Sequence, residues 1–308
     1  MKKIFFALIV IINAFLFLFT PVQTVEASKT GILLWFYQIF PTLFPWTILS
    51  NIMIRSNFFQ PKANDRTKYI NKTEWIVMLF GFLFGFPIGS KLAADFYSAG
   101  LLKKKRAQIL CACSNQFSIS YINSFVLAQV LHINQPIWWY FAVLYGPSFI
   151  LGISMLLYDY FHNVSDKNDT HKKSASRFQM NMQIIDAGII NGFEALIKLC
   201  GYIVMFSILT NGVRMLLQEN SLVYLIFSNL LETSTGIASM EKLTISYRTK
   251  LFVSIAALNF GGISCLAQTG SVISKTDLSL ANYALFRIIL TVLSSIIAFI
   301  LLFILRIC

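Results

Sequence analysis

The chain has 308 residues, 56% of them apolar and only 12% charged, with a mean hydropathy of +0.68. A soluble domain carries about twice that charged share, so these few charges do not cover a water-facing surface. The formal net charge of +12 falls between apolar runs, which fits the loop bias of a membrane protein and argues against a nucleic-acid-binding module. The expectation is an all-α polytopic membrane protein whose first partner is the lipid bilayer.

Of the five cysteines, Cys111, Cys113, Cys200 and Cys265 lie inside apolar runs and Cys308 ends one. No CxxC or Cys/His spacing suggests a metal. Cys111-Ala112-Cys113 reads as small helix filler, and His132, His162 and His171 have no partner pattern. No metal or cofactor is expected.

The N-terminal unit, 1–30, begins Lys2-Lys3, continues through an apolar run from Ile4 to Thr20, and reaches Val25-Glu26-Ala27. It reads either as a signal peptide with a small-residue cleavage site or as an uncleaved first helix; the helix is the expectation, because a multi-span protein needs no removable signal. Spanning the hydrocarbon core takes about 20 apolar residues. The candidates are 4–20, 31–54, 107–131, 137–161, 184–210, 250–273 and 281–305. Two apolar stretches are interrupted instead: Glu74 to Phe96 by Gly85-Phe86-Pro87-Ile88-Gly89, and Leu222 to Met240 by Glu232-Thr233-Ser234-Thr235-Gly236.

Loop charges orient the chain. Segment 55–72 carries Arg55, Lys62, Arg66, Lys68 and Lys72 against Asp65. Segment 91–106 carries Lys91, Lys103, Lys104, Lys105 and Arg106 against Asp95, and the loop 162–183 carries Lys167, Lys172, Lys173 and Arg177 against Asp166 and Asp169. All three read as cytoplasmic, whereas 21–30 and 132–136 read as external. If both 55–72 and 91–106 are inside, the stretch 73–100 enters and leaves on one side. That predicts a re-entrant helical hairpin with Gly85–Gly89 at its tip, where proline removes a donor and glycine opens unusual dihedrals. A kinked ordinary span is the alternative.

The second half reads as a diverged copy of the first. Phe40 to Ser50 precedes the first interrupted stretch and Leu199 to Leu209 the second; Asn115 and Asn259 occupy matching places after them. The first repeat covers 31–161 with hairpin 73–100, and the second covers 184–308 with hairpin 222–248. They run in opposite directions, which would leave Lys242, Arg248 and Lys250 external. Inverted repeats with interrupted segments at corresponding positions point to a secondary-transporter site, where half-helix ends and unwound backbone replace water around a polar solute.

Three segments carry a family resemblance. Gly85-Phe86-Pro87-Ile88-Gly89-Ser90-Lys91 resembles the G-[YF]-P-x-G-[AS]-K segment of sporulation integral membrane proteins of the YlbJ type, in the nucleoside recognition, or Gate, group. Asn115 with the small polar residues after it resembles that group's helix break, although Gln116 stands where a second Asn is usual. Gly261-Gly262-Ile263-Ser264-Cys265-Leu266-Ala267-Gln268 is similar to its G-[GL]-S-x-x-[AG]-Q segment. The resemblance runs from about residue 31 to 305. It implies a fold related to concentrative nucleoside transporters, with two hairpin tips and two broken helices around the solute, in a bacterial cell membrane.

The candidate substrate-binding residues are Pro87, Gly89, Ser90, Lys91, Asp95, Asn115, Gln116, Ser118, Glu232, Thr233, Ser234, Asn259, Gly262, Ser264 and Gln268. Lys91 and Asp95, four apart, share one helical face and read as a solute anchor or as a structural ion pair. Glu232 suits a cation, a proton or a solute hydroxyl, and equally an interfacial cap. Glu194 and Lys198, also four apart, read as a self-neutralising pair. Arg287 is expected to pair with Asp277 or Glu232, and the phenylalanines to face lipid or pack. Buried amides and hydroxyls equally bind helices together in lipid.

The function expected is a secondary transporter or permease for a small polar solute of the nucleoside-like kind. The alternative is a non-transporting membrane component of sporulation or envelope development. Without an HExxH, a GxSxG or paired aspartates in facing spans, an enzyme is not expected. The sequence names neither solute nor coupling ion and is compatible with a homo-oligomer.

Overall fold

A computed structural model describes residues 2–56, 58, 70–134, 137–162, 179–217 and 221–306. The predicted loop charges Lys62, Asp65, Arg66, Lys68, Asp166, Lys167, Asp169, Lys172, Lys173 and Arg177, with His171 and Cys308, lie outside the described residues. Among the described residues every regular element is helical.

Helix α1 (Lys2–Phe19) is followed by α2 (Pro21–Arg55), 35 residues that pass through a wide turn at Trp35–Ile39. Residues 21–30, expected as an external connection, are therefore helical. Pro21 stands at the helix start, where its missing N–H costs nothing, and nothing before Gly31 interrupts the turn pattern. The segment also has a partner. Gly31 lies against Ser207 of α8 (Met182–Leu216), and Asn211 Nδ2 donates to the Gln23 carbonyl at 3.3 Å. Further along, Gly188 and Gly192 let α8 approach Ile52 and Ile48. Both helices reach ~52 Å at 1.5 Å per residue, more than the ~30 Å hydrocarbon core. Helix α1 joins this pair, with Ile9 buried beside Phe206, Leu209 and Ala267.

Helices α3 (Lys72–Phe84) and α4 (Ile88–Ser98) pack on each other across the tip Gly85-Phe86-Pro87. Gly85 has φ 83°, a left-handed conformation that ends α3 and that a side chain would strain. The stretch 107–131, expected as one span, is not continuous. Helix α5 (Lys104–Cys113) stops, residues Ser114–Ser118 leave the helix, and α6 (Ile119–Val130) resumes. Ser and Asn side chains bond nearby backbone and compete with the helical ladder, and the polar run Ser114-Asn115-Gln116 sits where the chain departs. Helix α7 (Trp138–His162) completes the first half.

After α8 the same kinds of element recur. Helices α9 (Leu222–Leu231) and α10 (Thr233–Ser239) meet at Glu232, and a short turn Met240–Lys242 follows. Helix α11 (Tyr247–Phe260) breaks at Gly261 and Gly262, with φ 81° and 71°, before α12 (Gly262–Val272). The expected span 250–273 is thus interrupted as well. Helix α13 (Leu280–Ile304) is the last. Among the described residues, five helical stretches are long and apolar enough to cross a bilayer: α2, α7, α8, α11 with α12, and α13.

Polar contacts gather the connections into two groups. In the first turn of α5, Arg106 makes a two-pronged ion pair with Glu74 in the first turn of α3, one arm at 2.7 Å. Asp159 near the end of α7 lies 3.8 Å from both Arg106 and Lys105. Asp277, in the connection from α12 to α13, accepts from Lys104 and from Tyr97 of α4, each at 2.7 Å. The starts of α3, α5 and α13 and the ends of α4, α7 and α12 thus lie together. At the other group, Tyr140 and Ser254 share a 2.7 Å hydrogen bond, and Phe252 packs on Phe299 and Phe303.

Candidate functional site

Each tip sits on a helix break. On the first, glycines four apart remove the side chains that would keep the backbones separate. A Cβ at Gly81 would stand 2.2 Å, and one at Gly89 2.4 Å, from the Ser114 carbonyl oxygen. One at Gly85 would stand 2.6 Å from Ser118. On the second, Gly262 lies against the Asn229 and Leu231 carbonyls and Thr233 Oγ1 of the α9–α10 tip. The tips also cross over: α4 packs on α12, and α10 packs on α6.

Asn115 is fully buried and is the hub of the first break. Its Oδ1 accepts from the Ser90 amide at 3.4 Å, and its Nδ2 donates to Tyr283 Oη at 2.9 Å and Thr269 Oγ1 at 3.3 Å. Its carbonyl accepts from Arg287 Nη1 at 3.1 Å. Gln116 donates to Ser148 of α7, and Ser118 Oγ accepts from the Tyr121 amide at 3.2 Å to begin α6. Ser90 Oγ donates to the Pro87 carbonyl at 3.0 Å.

Glu232 is buried and caps α10. Its carboxylate accepts from the Ser234 amide at 3.1 Å and the Thr235 amide at 2.5 Å, where a negative charge meets the positive end of a helix. Around it the polar groups are less completely paired. Asn229 Oδ1, Thr233 Oγ1, Asn259 Oδ1 and Gln268 Oε1 are buried without a hydrogen-bond partner among the described residues. Asn259 Nδ2 donates to the Ile255 carbonyl at 3.1 Å, and Gln268 Nε2 to Ser264 Oγ at 3.1 Å.

A cavity of about 30 Å³ lies where the tips converge. Of the sequence candidates, Ser118, Glu232, Ser234 and Gln268 line it. Asn115, Gln116, Ser90, Gly89, Pro87, Thr233, Asn259, Gly262 and Ser264 belong to the tips and breaks around it without lining it. Lys91 and Asp95 pair with each other at 2.8 Å on a half-exposed stretch of α4, also outside the lining. Glu194 and Lys198 likewise pair, at 2.6 Å, on an exposed face of α8.

Arg287 does not pair as expected. Asp277 is taken by Lys104 and Tyr97, Glu232 by its own helix, and the guanidinium instead holds two carbonyls, those of Asn115 and Leu258. Some phenylalanines also have a different place. Phe86 and Phe117 line the cavity with Tyr121, their rings stacked in sequence at centroid distances of 6.1 and 5.3 Å. Residue type alone does not separate such a ring from a lipid-facing one; a position beside a tip or break does.

The chain is similar to the sporulation integral membrane protein YlbJ of Bacillus subtilis (strain 168). The two are 22% identical over 307 aligned residues, which cover 87% of this chain and 75% of YlbJ. No family model matches, and no solved structure matches. With five helices of spanning length, the protein is a multi-pass membrane protein.

Proposed function

We propose that the protein is a carrier for a small polar solute, built as an inverted repeat in which α3–α4 and α9–α10 are re-entrant hairpins. The carrying observation is the convergence of both tips and both helix breaks on one cavity with a buried carboxylate in its wall. The Glu74–Arg106 pair supports re-entry of the first hairpin, because it holds the starts of α3 and α5 side by side. The recurring element order and the crossed packing of α4 on α12 and α10 on α6 support the repeat.

Three of the unpartnered oxygens around the second tip, those of Asn229, Asn259 and Gln268, are amide carbonyls that only accept, so a solute that reaches them carries N–H or O–H donors, as sugars and nucleosides do. Pockets that enclose drug-sized ligands span roughly 300–1,000 Å³. The cavity at 30 Å³ holds little more than water. Loading a nucleoside-sized solute therefore requires the tips to part, which makes this arrangement a closed state of the carrier.

Proteoliposomes containing the purified protein, offered labelled nucleosides and small polyols, test the reading. Uptake or exchange that is lost in Glu232→Ala is expected. No uptake of any of them by a folded sample would sink it. The second reading, a non-transporting component of sporulation, has in its favour the name of the similar protein and the small cavity. A sporulation phenotype unchanged by replacing Pro87, Lys91 and Glu232 favours that alternative.

A further inference from the structure

Arg287 is the largest fully buried side chain among the described residues, 1% exposed, and sits within a helix of membrane-spanning length. A guanidinium keeps its charge at any accessible pH. Burying such a charge is strongly destabilising unless something nearby offsets it. Among the described residues no carboxylate lies within ion-pair distance of it: Glu232 is committed to the Ser234 and Thr235 amides and Asp277 to Lys104 and Tyr97. Its Nε has no hydrogen-bond partner among them either.

The guanidinium is instead held by backbone. Nη1 donates to the Asn115 carbonyl at 3.1 Å, in the stretch where the chain leaves α5. Nη2 donates to the Leu258 carbonyl at 3.1 Å, in the last turn of α11, just before the break at Gly261. Each helix C-terminus carries roughly half a negative charge and carbonyls that lack helical partners. Two such ends together offset about one positive charge. Tyr283, one turn earlier on α13, bonds the Asn115 side chain, so the same helix face grips the first break twice. Arg287 thereby joins the break of one half to the break of the other.

Unwound carbonyls and half-helix C-termini are the groups with which membrane carriers hold an inorganic coupling cation. We infer that Arg287 is a tethered cation: its guanidinium fills the position between the two helix breaks that a sodium ion would otherwise fill, and no alkali cation binds there. The inference stands whether or not the protein moves a solute. If it does, the driving ion at these breaks is not sodium.

The test needs no solute. The purified protein in nanodiscs is melted in choline chloride replaced stepwise by sodium or potassium chloride at constant ionic strength. The wild-type Tm is expected to be the same throughout; a saturable rise with sodium would overturn the inference. Arg287→Ala is expected to lose roughly 5–10 °C. It should regain at least half of that in low-millimolar guanidinium chloride, which supplies the missing cation, and nothing in equal choline chloride. Loss without rescue would leave Arg287 an ordinary interhelical clip and overturn the cation role. Should the alanine variant not fold, Arg287→Lys and Arg287→Gln separate charge from shape: the lysine variant is expected to melt higher, and equal melting overturns the inference.

Discussion

The two halves of the molecule place a tip against a helix break in the same way but finish the job differently. In the first half the joint is nearly saturated, with Tyr121 Oη the exception among the described residues. Gly81, Gly85 and Gly89 bring backbone onto backbone, and Ser90, Ser114, Asn115, Gln116 and Ser118 all have partners. In the second half the Glu232 carboxylate on a helix end and the Thr235–Ser207 hydroxyl pair hold the tip, and four buried oxygens around it have no partner among the described residues. A saturated joint resists change because every group must lose a bond to move. An unsaturated one holds polar groups whose desolvation is offset only when something else bonds them. Under the proposed carrier reading, the first half gives support and the second recognises the solute.

The largest effect is expected where the support is tightest. Gly89→Ala places a Cβ 2.4 Å from the Ser114 carbonyl oxygen and 2.6 Å from its carbonyl carbon, both backbone atoms with nowhere to yield. Helix α4 must lift off the break, taking the Ser90 amide from Asn115. A destabilisation of about 3 kcal/mol follows, the upper end for overpacking, and thermal unfolding in detergent measures it. An alanine tolerated without change of Tm would show that the close approach of α4 to the break is not a fixed contact.

Asymmetry between the halves also predicts opposite responses to one substitution. Asn115→Leu strips partners from the Ser90 amide, Tyr283 and Thr269 and should cost about 2 kcal/mol, the middle of the range for buried polar groups left unpaired. Asn259→Leu removes one local bond to the Ile255 carbonyl together with an oxygen that has no partner. Its stability should stay within about 1 kcal/mol of wild type, because an apolar side chain of similar size replaces a half-satisfied amide. Solute uptake should nevertheless fall in that variant. Equal losses of stability in the two would erase the distinction between a supporting and a recognising half.

Much of this architecture was legible in the sequence, for identifiable reasons. The tips announced themselves because Gly, Pro and Glu interrupt apolar runs too short to span, and Glu232, Ser234, Ser118 and Gln268 followed from their neighbourhood to the breaks. The helical state of residues 21–30 is not legible in the sequence, because Glu26, Ser28 and Lys29 interrupt the apolar pattern and the long packing of α2 on α8 is a contact between distant segments. The 107–131 stretch looked continuous because its polar break is short and lies between two apolar flanks. Phe86, Phe117 and Tyr121 were hidden among 29 phenylalanines and 12 tyrosines, since lipid and cavity walls select the same residue types. Arg287 was noticed for its charge, but its partners are backbone carbonyls, to which no sequence pattern points.

The smallest expected effect belongs to the opposite kind of contact, an exposed clamp far from the cavity. The Lys104 ammonium, and after it the Tyr97 hydroxyl, hold the Asp277 carboxyl below its ordinary value of 3.8, and Asp277 in turn raises Lys104 above 10.5. A depressed carboxyl stabilises the fold above its unfolded value and loses that stabilisation as pH falls through the folded value; a raised ammonium does the reverse at the alkaline end. The clamp is therefore complete between about pH 5 and 10 and released outside that window. Asp277→Asn should lower Tm slightly and by a constant amount across the window, with the gap closing below 3.8 as the wild-type carboxyl takes up its proton. Because the pair is exposed, salt should shrink the gap as well. A gap that widens toward low pH would mean that Asp277 stabilises the fold through its protonated form. The connection between α12 and α13 would then not be held by charge, and its polar tether to α5 would be the Gln108–Ser279 pair of hydrogen bonds.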